Sequence, residues 1–171
     1  MHEKKRYYGK YRGKVENNVD LQGLGRVQVS VPDVLGDSTL SWAMPCAPFA
    51  GPGVGFFSIP PKGALLWVEF ERGDPDYPIW VGGFWCMGQS PAAPGPLGVF
   101  QTVIKTEKFT LLADNNPVAP TLKIEMALGG AVGAATITGD PTGLTLSCAG
   151  NTIQLTPAGV AINKTNLVVM K

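Results

Sequence analysis

Before residue 89, apolar and polar positions alternate at period two over five short stretches, each bounded by glycine or proline. Tyr8–Glu16 reads as the first strand, with Lys10, Arg12 and Lys14 on one face. Gly25–Val31 is more regular. Val27, Val29 and Val31 alternate with Arg26, Gln28 and Ser30, and Pro32, which has no N–H for a ladder, ends the run. Ser41–Cys46 is a short third strand. Leu65–Glu71 sets Leu66, Val68 and Phe70 on one side and Leu65, Trp67 and Glu69 on the other, and Pro78–Phe84 supplies the fifth. The Gly- and Pro-dense run Ala50–Gly63 rules out a helix between the third and fourth. No segment carries a 3.6-residue apolar stripe, so the chain reads as all-β. Five such strands suit a small closed barrel of the OB-fold type, with Val27, Val29, Trp67, Val68, Phe70 and Trp80 filling it.

Gln89–Gly98 holds three prolines and two glycines in ten residues and reads as a linker. The predicted organisation is therefore a barrel over residues 1–88, a linker over 89–98 and a second domain over 99–171. In the second domain Lys105–Ala113 and Leu122–Leu128 read as strands, the latter alternating strictly through Leu122, Ile124, Met126 and Leu128. Gly143–Asn163 reads as three short strands punctuated by Gly143, Gly150 and Gly159, an irregular repeat near the scale of a β-solenoid.

Composition changes the picture of that second domain. The tryptophans, tyrosines and arginines all precede residue 87, and of 15 aromatics only Phe100 and Phe109 follow it. Leu, Ile, Val, Thr, Ala and Gly at period two leave a thin core for one copy of so short a segment, because conformational entropy nearly cancels its burial. Three copies around a common axis would remove the difficulty. Leu144, Leu146, Ile153, Leu155, Val160 and Ile162 would line that axis, and strand edges would be covered by neighbours. The predicted fold is an all-β homotrimer, with a five-stranded OB-fold barrel leading into a short intertwined triple-stranded β-helix or prism. The competing architecture is a second small monomeric sandwich.

Charge and reactive groups exclude more than they suggest. A net charge of +1 with 16% charged residues gives no global field toward nucleic acid or an anionic membrane. Cys46, Cys86 and Cys148 show no CxxC spacing and read as thiols of a reducing cytoplasm, with Cys46 and Cys148 as small buried hydrophobes. The basic start of the chain has no apolar stretch after it, so no secretory signal is read there, and no apolar run is long enough to span a membrane. The sole histidine, His2, is the only base available to a nucleophile, so no enzyme is expected. Glu69, Glu71, Asp74 and Asp76 are close in sequence, but Asp74-Pro75-Asp76 has turn chemistry. No metal or cofactor spacing is present, and Gly51–Gly55 lacks the Lys-Ser/Thr and helix of a phosphate loop. Lys4–Lys14 interleaves six basic residues with three tyrosines, which leaves single-stranded nucleic-acid binding as an alternative function. A receptor- or carbohydrate-binding tail module is another, supported only by Asn115, Asn116, Asn151, Asn163 and Asn166.

Four segments of the front half, in order, carry a family resemblance. They are Gly23–Pro32, Trp42–Pro48 followed by Phe56-Phe57, Pro61–Glu71, and Gly73–Gly82. This half resembles the OB-fold domain of contractile-tail spikes, the phage baseplate assembly protein V family, with the VgrG spikes of type VI secretion as relatives. More weakly, Phe109–Asp114 and Asn151–Thr156 look like repeats of the spike's triple-stranded β-helix. The resemblance implies a homotrimeric central spike that is assembled in the cytoplasm into a virion baseplate or injection particle. Below the hub, it caps the tail tube and pierces the target envelope, touching the target membrane transiently when the sheath contracts. Separate hub proteins are expected at the barrel end, since no hub domain is fused in front. A PAAR-repeat protein is a candidate cap, since His2 cannot supply a histidine-ligated iron apex. No cofactor or nucleic acid is expected.

Overall fold

The computed structural model describes residues 5–37, 40–163 and 167–170; His2, Lys4 and Asn166, singled out above, lie outside the described residues. The chain divides into two compact units, Met1–Cys86 and Met87–Lys171.

The first unit is a closed barrel. Its elements are β1 (Tyr11–Asn17), β2 (Val27–Ser30), a single helical turn α1 (Pro32–Leu35), β3 (Leu40–Pro45), the two-residue strands β4 (Ala50–Gly51) and β5 (Val54–Gly55), β6 (Leu65–Phe70) and β7 (Pro78–Gly83). The barrel closes in the order β1-β2-β3-β7-β6 and back to β1, with β3 and β7 parallel and every other pair antiparallel. Pro32 both ends the β2 ladder and opens α1, where its missing N–H costs nothing. β4 and β5 form a small separate hairpin inside the Gly/Pro run.

Inward positions follow the alternation. Val15, Val27, Val29, Val31 and Val68 are wholly buried, and Ala43, Leu66 and Phe70 complete the core. Valine dominates because the lumen is narrow. At Gly13 even a Cβ would stand 2.8 Å from Val68 Cγ2. Trp80 is half-buried against this core, and its Nε1–H donates to the Gly25 carbonyl at 3.2 Å. Trp67 departs from expectation. It sits on β6 between inward Leu66 and Val68, so the period-two geometry of a strand turns it to the outer face. There its ring lies 4.7 Å from that of Phe84, with the Arg12 guanidinium 5.5 Å away. A lumen built for valine has no room for an indole.

The first helical element of the second unit is a 3₁₀ segment, Gly95–Phe100, which overlaps the end of the stretch read as linker and runs two residues past it. Eight strands follow: β8 (Gln101–Lys105), β9 (Phe109–Asp114), β10 (Thr121–Gly129), β11 (Gly133–Asp140), β12 (Gly143–Cys148), β13 (Asn151–Thr156), β14 (Gly159–Ile162) and β15 (Leu167–Met170). They form one sheet in which each strand pairs antiparallel with its neighbours in sequence. The strand expected over Lys105–Ala113 is two, because residues 106–108 turn between β8 and β9, with Thr106 Oγ1 accepting from Phe109 N–H. β11 escapes a reading by pattern since Gly133-Ala-Ala-Thr-Ile-Thr-Gly-Asp140 carries one large apolar residue. Each inner strand is paired on both sides within its own chain, and among the described residues only the outer edges of β8 and β15 are without a ladder partner.

Candidate assembly interface

The antiparallel register of the eight-stranded sheet aligns its side chains in rows. One row runs across all eight strands: Ile104, Leu111, Ile124, Ile137, Leu146, Ile153, Ile162 and Leu167, each directly opposite the next. Two positions along each strand lies a second row on the same face, containing Ala113, Leu122, Gly139, Leu144, Leu155, Val160 and Val169. The opposite face is largely polar. Lys105, Thr110, Glu125, Thr136, Ser147 and Thr152 form one of its rows.

All six residues read as lining the axis fall in the two aliphatic rows, which the register brings together on one face. Sequence reasoning missed Ile104, Ile137 and Leu167: Ile137 is the one large apolar residue of its strand, while Ile104 beside Val103 and Leu167 in an unbroken apolar run show no alternation that would assign them a face. Only the pairing register reveals that they continue the row. Among the described residues, much of this face stays accessible. Leu155 keeps 42% of its surface and Leu146 37%, against 0% for Val29 in the barrel. A trough of about 590 Å³ runs along it, lined by Ile124, Met126, Ile137, Leu146, Ile153 and Ile162 among others. Soluble monomers rarely leave a continuous aliphatic surface across a whole sheet.

The geometry of this sheet is tight at one point. Gly143, with φ of 150°, begins β12 so close to β13 that a Cβ there would lie 2.1 Å from the Leu155 carbonyl oxygen. Asp140 holds the preceding turn by accepting from both the Thr142 N–H and hydroxyl, which keeps its carboxyl below the usual range. Cys148 ends β12 on the aliphatic side and is exposed, as is Cys46 just past β3. Both were expected to be buried. Cys46 lies beyond the barrel wall, and Cys148 on the accessible aliphatic face.

The described part of the basic, tyrosine-rich start packs on the barrel through Tyr7 and Tyr11, while Tyr8 stays exposed. Tyr7 and Tyr11 pack with Phe70, ring centroids 5.7–6.3 Å apart, and close one end of the core. Arg6 pairs with Asp74 at 3.3 Å, Lys10 with Glu69, and Lys14 with Glu16 at 3.0 Å, while Arg12 lies over Trp67 and Phe84. The Lys14 contact, with Ser30 Oγ adding a hydrogen bond, lowers the Glu16 pKa. The carboxylates singled out in sequence thus divide between ion pairs and the turn after β6, where Asp74 Oδ1 accepts from Asp76 N–H. Among the described residues no group of three or more His, Cys, Asp or Glu could hold a metal ion. None of the described helices is long and apolar enough to cross a membrane.

At the other end of the barrel, Asp20 organises the β1–β2 loop. Its carboxylate accepts from the N–H groups of Gln22, Leu24 and Arg26 and from the Arg26 guanidinium at 2.7 Å. The Arg26 contact above all holds the Asp20 pKa far below the carboxylate range and raises that of Arg26.

Residues 11–85 match the family described as the type VI secretion system/phage-baseplate injector OB domain. No curated protein matches the chain. The matched span begins with β1 and ends two residues past β7, so it coincides with the closed barrel. A five-stranded barrel, closed through one parallel β3–β7 pair and matched from end to end, makes residues 11–85 similar to the baseplate injector OB domain and supports a structural role beside other components of a virion tail or injection particle.

Proposed function

We propose that the protein is the central spike of a contractile tail or injection particle, formed by three chains whose aliphatic sheet faces meet around a common axis. The observation that carries this reading is the row of isoleucine and leucine unbroken over all eight strands, backed by a largely polar opposite face. Burial contributes roughly 25 cal/mol for each Å² removed from water, so hiding this face in a trimer supplies the stability that one thin sheet lacks. The resulting prism would be stiff along its axis, the property needed to pierce an envelope when a sheath contracts. The barrel end meets separate hub proteins, the far end is capped by a small PAAR-type protein, and contact with the target membrane is transient. Such work is mechanical and asks for no catalytic group or cofactor. Native mass measurement tests the reading: a trimer is expected, and a stable monomer would overturn it. Leu155→Asp should abolish trimers, since three unpaired carboxylates would be buried together.

A further inference from the structure

A second apolar surface lies on the barrel, in two loops that the sheet does not include. The β1–β2 loop exposes Leu21 (95% accessible) and Leu24, and the segment following β3 exposes Phe49, Val54, Phe56 and Phe57. The loops are joined. Asn18 Nδ2 donates to the Pro60 carbonyl at 3.2 Å, and the Phe57 ring lies directly over Gly25. They are also held in shape. Asp20, only 5% exposed, gathers three backbone N–H groups and Arg26, whose guanidinium then stacks over Trp42 at 5.3 Å. A loop fixed this firmly presents Leu21 and Leu24 outward at no further ordering cost.

The charge pattern selects the partner. Over residues 17–26 and 46–61 the only charged side chains are Asp20 and Arg26, and each neutralises the other. Such a surface can be dried without stranding a charge, as the centre of a protein interface requires. An anionic bilayer or a nucleic-acid strand would call for several lysines and arginines at the rim, whereas the one cation that follows, Lys62, lies near Glu16. Further copies of this chain already have the aliphatic sheet face as their contact. We infer that the Leu21/Phe57 crest docks the barrel onto a different tail protein, one that offers an apolar, uncharged surface. This rests on the spike reading above.

The test is photo-crosslinking in assembled particles, with benzoylphenylalanine installed at Leu21. A covalent adduct to a different tail protein, identified by mass spectrometry, is the expected result. An adduct to this same chain, within or between copies, overturns the inference, as does labelling that leaves position 21 open to solvent. Binding of the isolated protein to vesicles of phosphatidylglycerol and phosphatidylethanolamine, lost in Leu21→Asp, would overturn it in favour of a membrane. The double variant Leu21→Asp, Phe56→Asp should still form trimers yet enter particles less often than wild type by roughly tenfold or more. Full incorporation of that variant would also sink the idea. Absence of the wild-type chain from purified tails overturns the spike reading together with this one. A chain present in tails with position 21 free overturns this one alone.

Discussion

Single residues hold both units at points where substitution has a definite sign. Asp20 titrates near pH 4 in an unfolded chain and well below that when folded, so its contribution is present at neutral pH and is lost as pH falls through its folded pKa. Asp20→Asn should therefore be less stable than wild type at pH 7, and the gap should narrow on acidification below about pH 4. Denaturant midpoints measured across that range check it; a gap that is constant with pH would contradict the assignment. Gly143 is the corresponding point of the second unit. Gly143→Ala drives a methyl into the Leu155 carbonyl and keeps an unfavourable φ, at about 2–4 kcal/mol. Loss of hydrogen-exchange protection in β12 and β13 would report it.

At the scale of the elements, β6 offers an internal comparison. Leu66→Ala empties part of the lumen and should cost about 2–5 kcal/mol, whereas Trp67→Ala removes an outer stack on Phe84 and Arg12 worth about 1–2 kcal/mol. Thermal melts of the two variants should rank in that order despite the larger side chain lost at Trp67. The same strand shows what was legible beforehand. Alternation in Leu65–Phe70 gave the strand and its inward set. The bulk of an indole suggested a core role for Trp67 that the pleat forbids. Val27, Val29, Val31 and Pro32 marked β2 and its end nearly to the residue. β11 was not legible because so Ala/Gly-rich a strand gains its identity from register with neighbours, and the faces of Ile104 and Leu167 were not, because adjacent apolar residues in QTVIK and LVVM show no alternation. Asp20 likewise looked like an ordinary loop residue. Its signal, an acid six residues before Arg26 in a glycine-rich turn, becomes specific only when the loop closes on itself.

For the whole molecule the two units make opposite demands. The barrel buries its own core, so residues 1–86 expressed alone should be folded and monomeric by native mass spectrometry. Residues 87–171 expressed alone should self-associate, through the face that Leu146 and Leu155 share. A monomeric, cooperatively melting second unit would contradict the proposed assembly.

The hairpin order of the sheet has a consequence for biogenesis. Every ladder from β8 to β15 joins strands adjacent in sequence, so each hairpin can close as it leaves the ribosome, without waiting for distant parts of the chain. If the proposed trimer forms, the newborn sheet carries its bare aliphatic face until two other copies arrive, and that encounter depends on how many chains are being made nearby. Refolding followed by light scattering should accordingly show a fast phase independent of protein concentration and a later one that quickens with it. Polysomes translating one message side by side would shorten the interval in which the face is open to aggregation.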